Sequence, residues 1–197
     1  MRILWLKTEL LHPVDKGGKI RTYQMLKELK RDHHIAYLTL DDGTASQDAC
    51  GRAEEYCHEL ICVPHKQREK FTAGFYAELG VNLPAPLPYA AAKYKSAAMR
   101  RQILELTNDN RYDAVVCDFL APAVNLPRNL SCRSVLFQHN VEAMIWKRHY
   151  ETQTNAIKKV ARQANFKKAV MRGSGGFLRD GIAQARGDVI NLLYGCG

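Results

Sequence analysis

The first thirty residues pass from one hydrophobic period to another. Arg2 to Leu6 is mostly apolar, the pattern of a strand covered on both faces by helices in a parallel sheet. A loop broken at His12-Pro13 and again at Gly17-Gly18 follows. Thr22, Met25, Leu26 and Leu29 then recur at steps of three and four, which lines them on one helix face, while Lys27, Glu28 and Lys30 face away. This is the opening strand-loop-helix of a doubly wound α/β unit. Ile35 to Leu40 reads as a second strand closed by Asp41-Asp42-Gly43, Ala45 to Tyr56 as a helix, and Glu59 to Val63 as a third strand stopped by Pro64. Their spacing predicts right-handed crossovers into a parallel sheet.

The pattern then loosens. A short helix is predicted through Phe71, Phe75 and Leu79, before Gly80 and prolines at 84, 86 and 88, which exclude a helix or a central strand. The segment reads as an exposed excursion, either a lid or acceptor-binding edge or a passive surface loop. Tyr89 to Leu106 returns to helical period through Ala92, Ser96, Met99, Ile103 and Leu106. Ala114 to Asp118 is a short buried strand and Ser134 to Phe137 the next, with a proline-containing, aperiodic stretch from Ala121 to Leu130 between them.

Length and composition narrow the class. The 197 residues suit one domain with a substantial core, here placed at 1–172, with 173–197 as an atypical tail. No apolar run approaches the roughly 20 residues needed to span a bilayer, and the N-terminus lacks the regions of a signal peptide, so a cytoplasmic location is expected. The six cysteines include no C-x-x-C pair and are expected to be reduced. Cys57, His58, Cys62 and His65 crowd together, but strand alternation through Leu60 to Val63 turns neighbours to opposite faces. No metal or other cofactor is expected.

Charge adds a question about partners. The net charge is +9, and Lys147 to Arg172 holds eight Lys or Arg against one acid, Glu151. Such a face suits peripheral, electrostatic contact with the anionic inner surface of a membrane. Nucleic acid is the alternative partner, disfavoured because no reading motif and no interleaved stacking aromatics accompany the charges. A phosphate-binding α/β regulator is a further alternative.

In an open parallel sheet, ligands bind outside the carboxyl ends of the strands. Three groups fall there. Gly17 and Gly18 open a helix whose N-terminus favours a phosphate, with Lys16, Lys19 and Arg21 adding positive charge. Asp118 ends the fourth strand. Gln138-His139-Asn140 follows the fifth, with His139 the sharpest single candidate, Asn140 a good helix N-cap and Glu142 in the first helical turn. The glycine spacing matches neither the dinucleotide fingerprint nor the P-loop. His33, His34, His58, His65 and His149 read as surface or packing residues.

At these residues the chain resembles the N-terminal domain of glycosyltransferase family 4. The resemblance rests on strand one with Pro13, Gly17-Gly18 and the helix through Arg21 and Leu29, and on Phe137-Gln138-His139-Asn140-Val141-Glu142 with Arg148-His149-Tyr150; it covers about 1–171. It implies the acceptor-side, Rossmann-like half of a two-domain B-type retaining enzyme that moves a sugar from a nucleotide-sugar donor to a glycan or lipid-linked acceptor, as in polysaccharide biosynthesis. Gly17 and Gly18 would lie near the donor diphosphate and His139 beside the reacting sugar, with Lys19, Asp118, Asn140 and Glu142 as further substrate-binding candidates. The departure is large. The family's E-x7-E motif is missing, since no two glutamates stand eight residues apart, and there is no D-x-D pair. The chain is therefore expected to be truncated before the donor domain and inactive alone. Gly181 to Ile190 resembles a fragment of family 2 glycosyltransferases, and the tail reads as a truncation, fusion or frameshift scar.

Overall fold

The computed structural model describes residues 1–69, 71–82, 89–127 and 129–137. Five strands, β1 (Arg2–Lys7), β2 (His34–Asp41), β3 (Glu59–Pro64), β4 (Ala114–Asp118) and β5 (Arg133–Phe137), form one sheet in the order β3-β2-β1-β4-β5, every pair parallel. The order reverses between β1 and β4. That reversal is the topological switch point of a Rossmann-like, doubly wound fold.

Strand alternation sends successive side chains to opposite faces, and each face has its own core. Leu4 and Leu6 of β1 join Leu38, Val115 and Cys117 under Met99, Ile103 and Leu106 of α5 (Ala97–Asn108). Ile3 and Trp5 point the other way, with Ile35, Tyr37 and Val116, under Leu26 of α1 (Gly17–Asp32) and Ala49 of α2 (Gln47–Gly51). Helices thus cover both faces. The near-continuous apolar strands follow from this double burial.

Three elements differ from their sequence-based outline. The helix expected over Ala45 to Tyr56 is one turn of α-helix, α2, followed by a 3-10 turn over Arg52–Glu55. Tyr89 to Leu106 is not one helix but two, α4 (Tyr89–Ala92) and α5. Ser96 sits in the gap with extended backbone, and its hydroxyl accepts the Met99 N–H as an N-cap. Asn125 locks the break by accepting the Ser96 N–H and donating to the Tyr94 carbonyl. Pro64 does not stop β3 but is its last residue, tolerated because β3 is an edge strand.

The helix predicted through Phe71, Phe75 and Leu79 is α3 (Ala73–Asn82), with Phe71 outside it at φ 68°. The aperiodic stretch after β4 holds a four-residue helix, α6 (Leu120–Ala123). Among the described residues no helix is long and apolar enough to cross a membrane. The prolines at 84, 86 and 88, the segment from Gln138 onward with His139, Asn140 and Glu142, the basic face from Lys147 to Arg172, and the tail lie outside the described residues.

Candidate functional site

Two of the three predicted groups meet at the carboxyl edge of the sheet: the Gly17-Gly18 opening of α1 and Asp118 at the end of β4. Asp118 is buried, and one of its oxygens collects three donors. Oδ2 lies 2.5 Å from Lys7 Nζ, 2.6 Å from the Thr22 hydroxyl and 3.4 Å from Trp5 Nε1, while Lys7 also reaches Thr22 at 3.1 Å. Lys7 ends β1 and Thr22 is in the second turn of α1, so the cluster ties both strands flanking the switch point to the helix. A buried pair of this kind survives because each charge is neutralised and hydrogen-bonded. These contacts make Asp118 a positioning residue for α1 in the first place.

The next residue, Phe119, has φ 73° and ψ 173°, a backbone region that is normally left to glycine. It is held there from both sides. Its N–H donates to the Phe137 carbonyl at 2.9 Å, and its ring centroid lies 5.0 Å from Lys7 Nζ, on the side where a β-carbon at Gly18 would stand. Strain thus sits at the switch point, where it fixes the floor beneath the start of α1.

The N-terminus of α1 has no side-chain cap: Lys16 occupies the cap position without a side-chain hydrogen bond, and no acid stands in the first turn. By contrast, Ser46 and Ser96 cap α2 and α5. A β-carbon at Gly17 would meet nothing within 4 Å, and one at Gly18 would make ordinary contact with the Phe119 ring at 3.5 Å. Neither glycine has the positive φ that only glycine adopts readily. Internal packing therefore leaves room for a side chain at Gly17. An approaching ligand gives a reason to keep it bare.

Beside this N-terminus, at the carboxyl ends of β1, β2 and β3, lies a polar cleft of about 450 Å³. Its walls carry Glu9, His12, Lys16, Lys19, Asp42 and His65. Lys19, read from the sequence as adding positive charge here, is buried: its side chain is 8% exposed and its ammonium stands 3.4 Å from Glu9, with Lys16 3.9 Å away on the same carboxylate. The Tyr37 hydroxyl donates to the Glu9 carbonyl and pins that loop. Asp42 accepts from the Thr44 hydroxyl and backbone N–H, and these bonds lower its carboxyl below the ordinary range.

His12 is the residue that sequence reasoning passed over. It is buried, 3.3 Å from Glu55 through Nε2, and packed against the rings of Tyr23 and Tyr56. Glu55 also accepts from Arg52 and from the Tyr23 hydroxyl, which hold its carboxyl down to about 2. His65, expected at the surface or in packing, is half-buried in the cleft wall, its ring nitrogen 2.8 Å from the Lys93 carbonyl. Among the described residues no group of three or more His, Cys, Asp or Glu is arranged to hold a metal.

A second concavity, about 510 Å³, opens at the amino ends of β4 and β5 between Tyr112, Asp113 and Arg133. Among the described residues its lining includes no helix N-terminus, and Asp113 accepts from the Arg2 backbone N–H at 2.6 Å. The carboxyl edge is the better candidate on chemistry. No family model, no curated protein and no solved structure matches the chain.

Proposed function

We propose that this chain is the acceptor-side domain of a retaining, B-type glycosyltransferase that uses a nucleotide-sugar donor and a glycan or lipid-linked acceptor. The observation that carries this reading is the opening of α1, an uncapped helix N-terminus with bare Gly17 beside a polar cleft at the carboxyl ends of β1, β2 and β3 in a Rossmann-like sheet. Backbone N–H groups there and the helix dipole suit a diphosphate, and Lys16 and Lys19 supply full charge once it competes with Glu9. The similarity to family 4 in 1–171 supports the same reading and assigns His139 to the reacting sugar, with Asn140 and Glu142 near it.

In that reading no covalent nucleophile is needed. A donor phosphate oxygen takes the acceptor proton while N–H donors and lysines stabilise the departing diphosphate. Asp118 acts at one remove, through Lys7 and Thr22, by holding α1 in place. Titration of the chain with inorganic pyrophosphate, alongside Gly17→Ala, tests this role. Weak binding that Gly17→Ala lowers without changing the melting temperature is expected, whereas equal binding by both proteins removes the diphosphate from this helix. Sugar transfer by these 197 residues alone is not expected, because they hold neither E-x7-E nor D-x-D carboxylates.

A further inference from the structure

Helix α3 is apolar in composition, yet none of its residues is buried. Val81 is 78% exposed and Tyr76 56%, and Phe71, just before the helix, is 78% exposed. Phe75 links the aromatic rings, with centroids 6.3 Å from Phe71, 5.4 Å from Tyr76 and 5.6 Å from Tyr89 of α4. An exposed aromatic cluster of this kind, with exposed Val81 on the same helix, marks an interaction surface. The sequence between residues 66 and 95 has charges of one prevailing sign: Lys66, Arg68, Lys70, Lys93 and Lys95 against Glu69 and Glu78. Glu78 is already paired with Arg68 at 3.2 Å.

We infer that α3 is an interfacial anchor that docks on an anionic lipid bilayer. Ten residues make a helix about 15 Å long, far too short to span but suited to lying in the headgroup plane. Phe, Tyr and Val supply the insertion that a purely basic face lacks, and flanking lysines meet anionic headgroups. A second copy of the chain would instead bring two like-charged faces together. The position of the patch adds to the argument. His65 and Gln67, which precede the excursion, and Tyr94, which follows it, all line the polar cleft. Docking through α3 would therefore set the mouth of that cleft at the bilayer, and, resting on the transferase reading above, would make the acceptor lipid-linked rather than a free glycan.

The test is co-sedimentation of the full chain with vesicles of phosphatidylcholine alone and of phosphatidylcholine with phosphatidylglycerol, at about 0.1 M and about 0.5 M salt. The triple variant Phe71→Asn, Tyr76→Ser, Val81→Ser removes only exposed side chains, and Asn tolerates the positive φ at position 71. Binding to the anionic vesicles that weakens in salt and falls at least about tenfold in the variant, with an unchanged melting temperature, is expected. Absence of binding by the parent chain overturns the assignment. So does binding that survives the triple substitution, which moves attachment to another surface such as Lys147 to Arg172. A dimer in solution that the variant abolishes, without lipid binding, gives the patch to a second copy. The readout is attachment and not transfer, so its failure leaves the transferase reading standing with a soluble acceptor.

Discussion

Helices α1 and α3 both follow the carboxyl end of a strand, and their compositions invert their fates. The polar α1 buries Lys19, Thr22 and Leu26; the apolar α3 buries nothing. Topology decides this. β1 is the central strand, so the helix after it must cross the middle of the sheet, and its polar groups are sunk with partners: Thr22 on Asp118 and Lys7, Lys19 on Glu9. β3 is an edge strand, so the helix after it has no central strand to cross. Hydrophobicity alone ranks the two helices in the wrong order. Partnered burial indicates a positioning role, whereas the apolar side chains that α3 leaves exposed are the basis of the docking proposed for it.

The sharpest way to break this contrast is to remove Asp118. Asp118→Ala leaves the Lys7 ammonium buried without its counter-charge, which costs about 3–5 kcal/mol, a large part of the 5–15 kcal/mol typical of a domain. Urea denaturation measures it. Adding Lys7→Met to Asp118→Leu is expected to recover much of the loss, because an apolar pair of similar volume is tolerated where a lone charge is not. A small effect for Asp118→Ala means that the cluster does not hold α1.

The two helices also predict unequal responses to the same kind of truncation. Leu26→Ala empties a fully buried site and is expected to lower stability by about 2–5 kcal/mol, while Val81→Ser is expected to stay within about 0.5 kcal/mol. A comparable loss at Val81 would place α3 in a core and remove its interfacial role.

Phe119 separates backbone strain from ring packing. Both Phe119→Ala and Phe119→Gly delete the ring over Gly18 and Lys7, but only glycine relaxes at φ 73°. Glycine ordinarily trails alanine by about 0.4–1 kcal/mol through the unfolded state. Here the order is expected to reverse. If alanine remains the more stable, the strain at the switch point is negligible.

The smallest effect is one of pH. Arg52, then Tyr23, stabilise the ionised Glu55 carboxylate and depress it from 4.5 to about 2. A depressed carboxyl contributes stability that is present above its unfolded value and lost as pH falls through the folded one, here between about 4.5 and about 2. Relative to the parent chain, Glu55→Gln is expected to be less stable at neutral pH and to lose less across that window. Parallel urea midpoints of the two proteins across the window would remove Glu55 from acid denaturation.

The strands were legible because burial on both faces writes itself as short apolar runs, and β4 lies over Ala114 to Asp118 as read. Helix ends were less so. Ser96 fits an apolar stripe by spacing, and only its capping of Met99, fixed by the distant Asn125, turns one helix into two. The site divides in the same way. Gly17-Gly18 announces itself by composition, but Lys7, Thr22 and Asp118 are separated by up to 111 residues and meet only through the β1–β4 pairing. His12 carries no local motif at all; its place among Tyr23, Tyr56 and Glu55 is a product of packing.

The central claim is that ligand binds at the carboxyl edge beside α1. Backbone amide shifts of the labelled chain during titration with inorganic pyrophosphate test it most directly. The account predicts perturbations concentrated at Gly17, Gly18 and Lys19 and spreading to Glu9 as its lysines are drawn away. Perturbations centred on Tyr112, Asp113 and Arg133 at the opposite edge, or none anywhere, would contradict it.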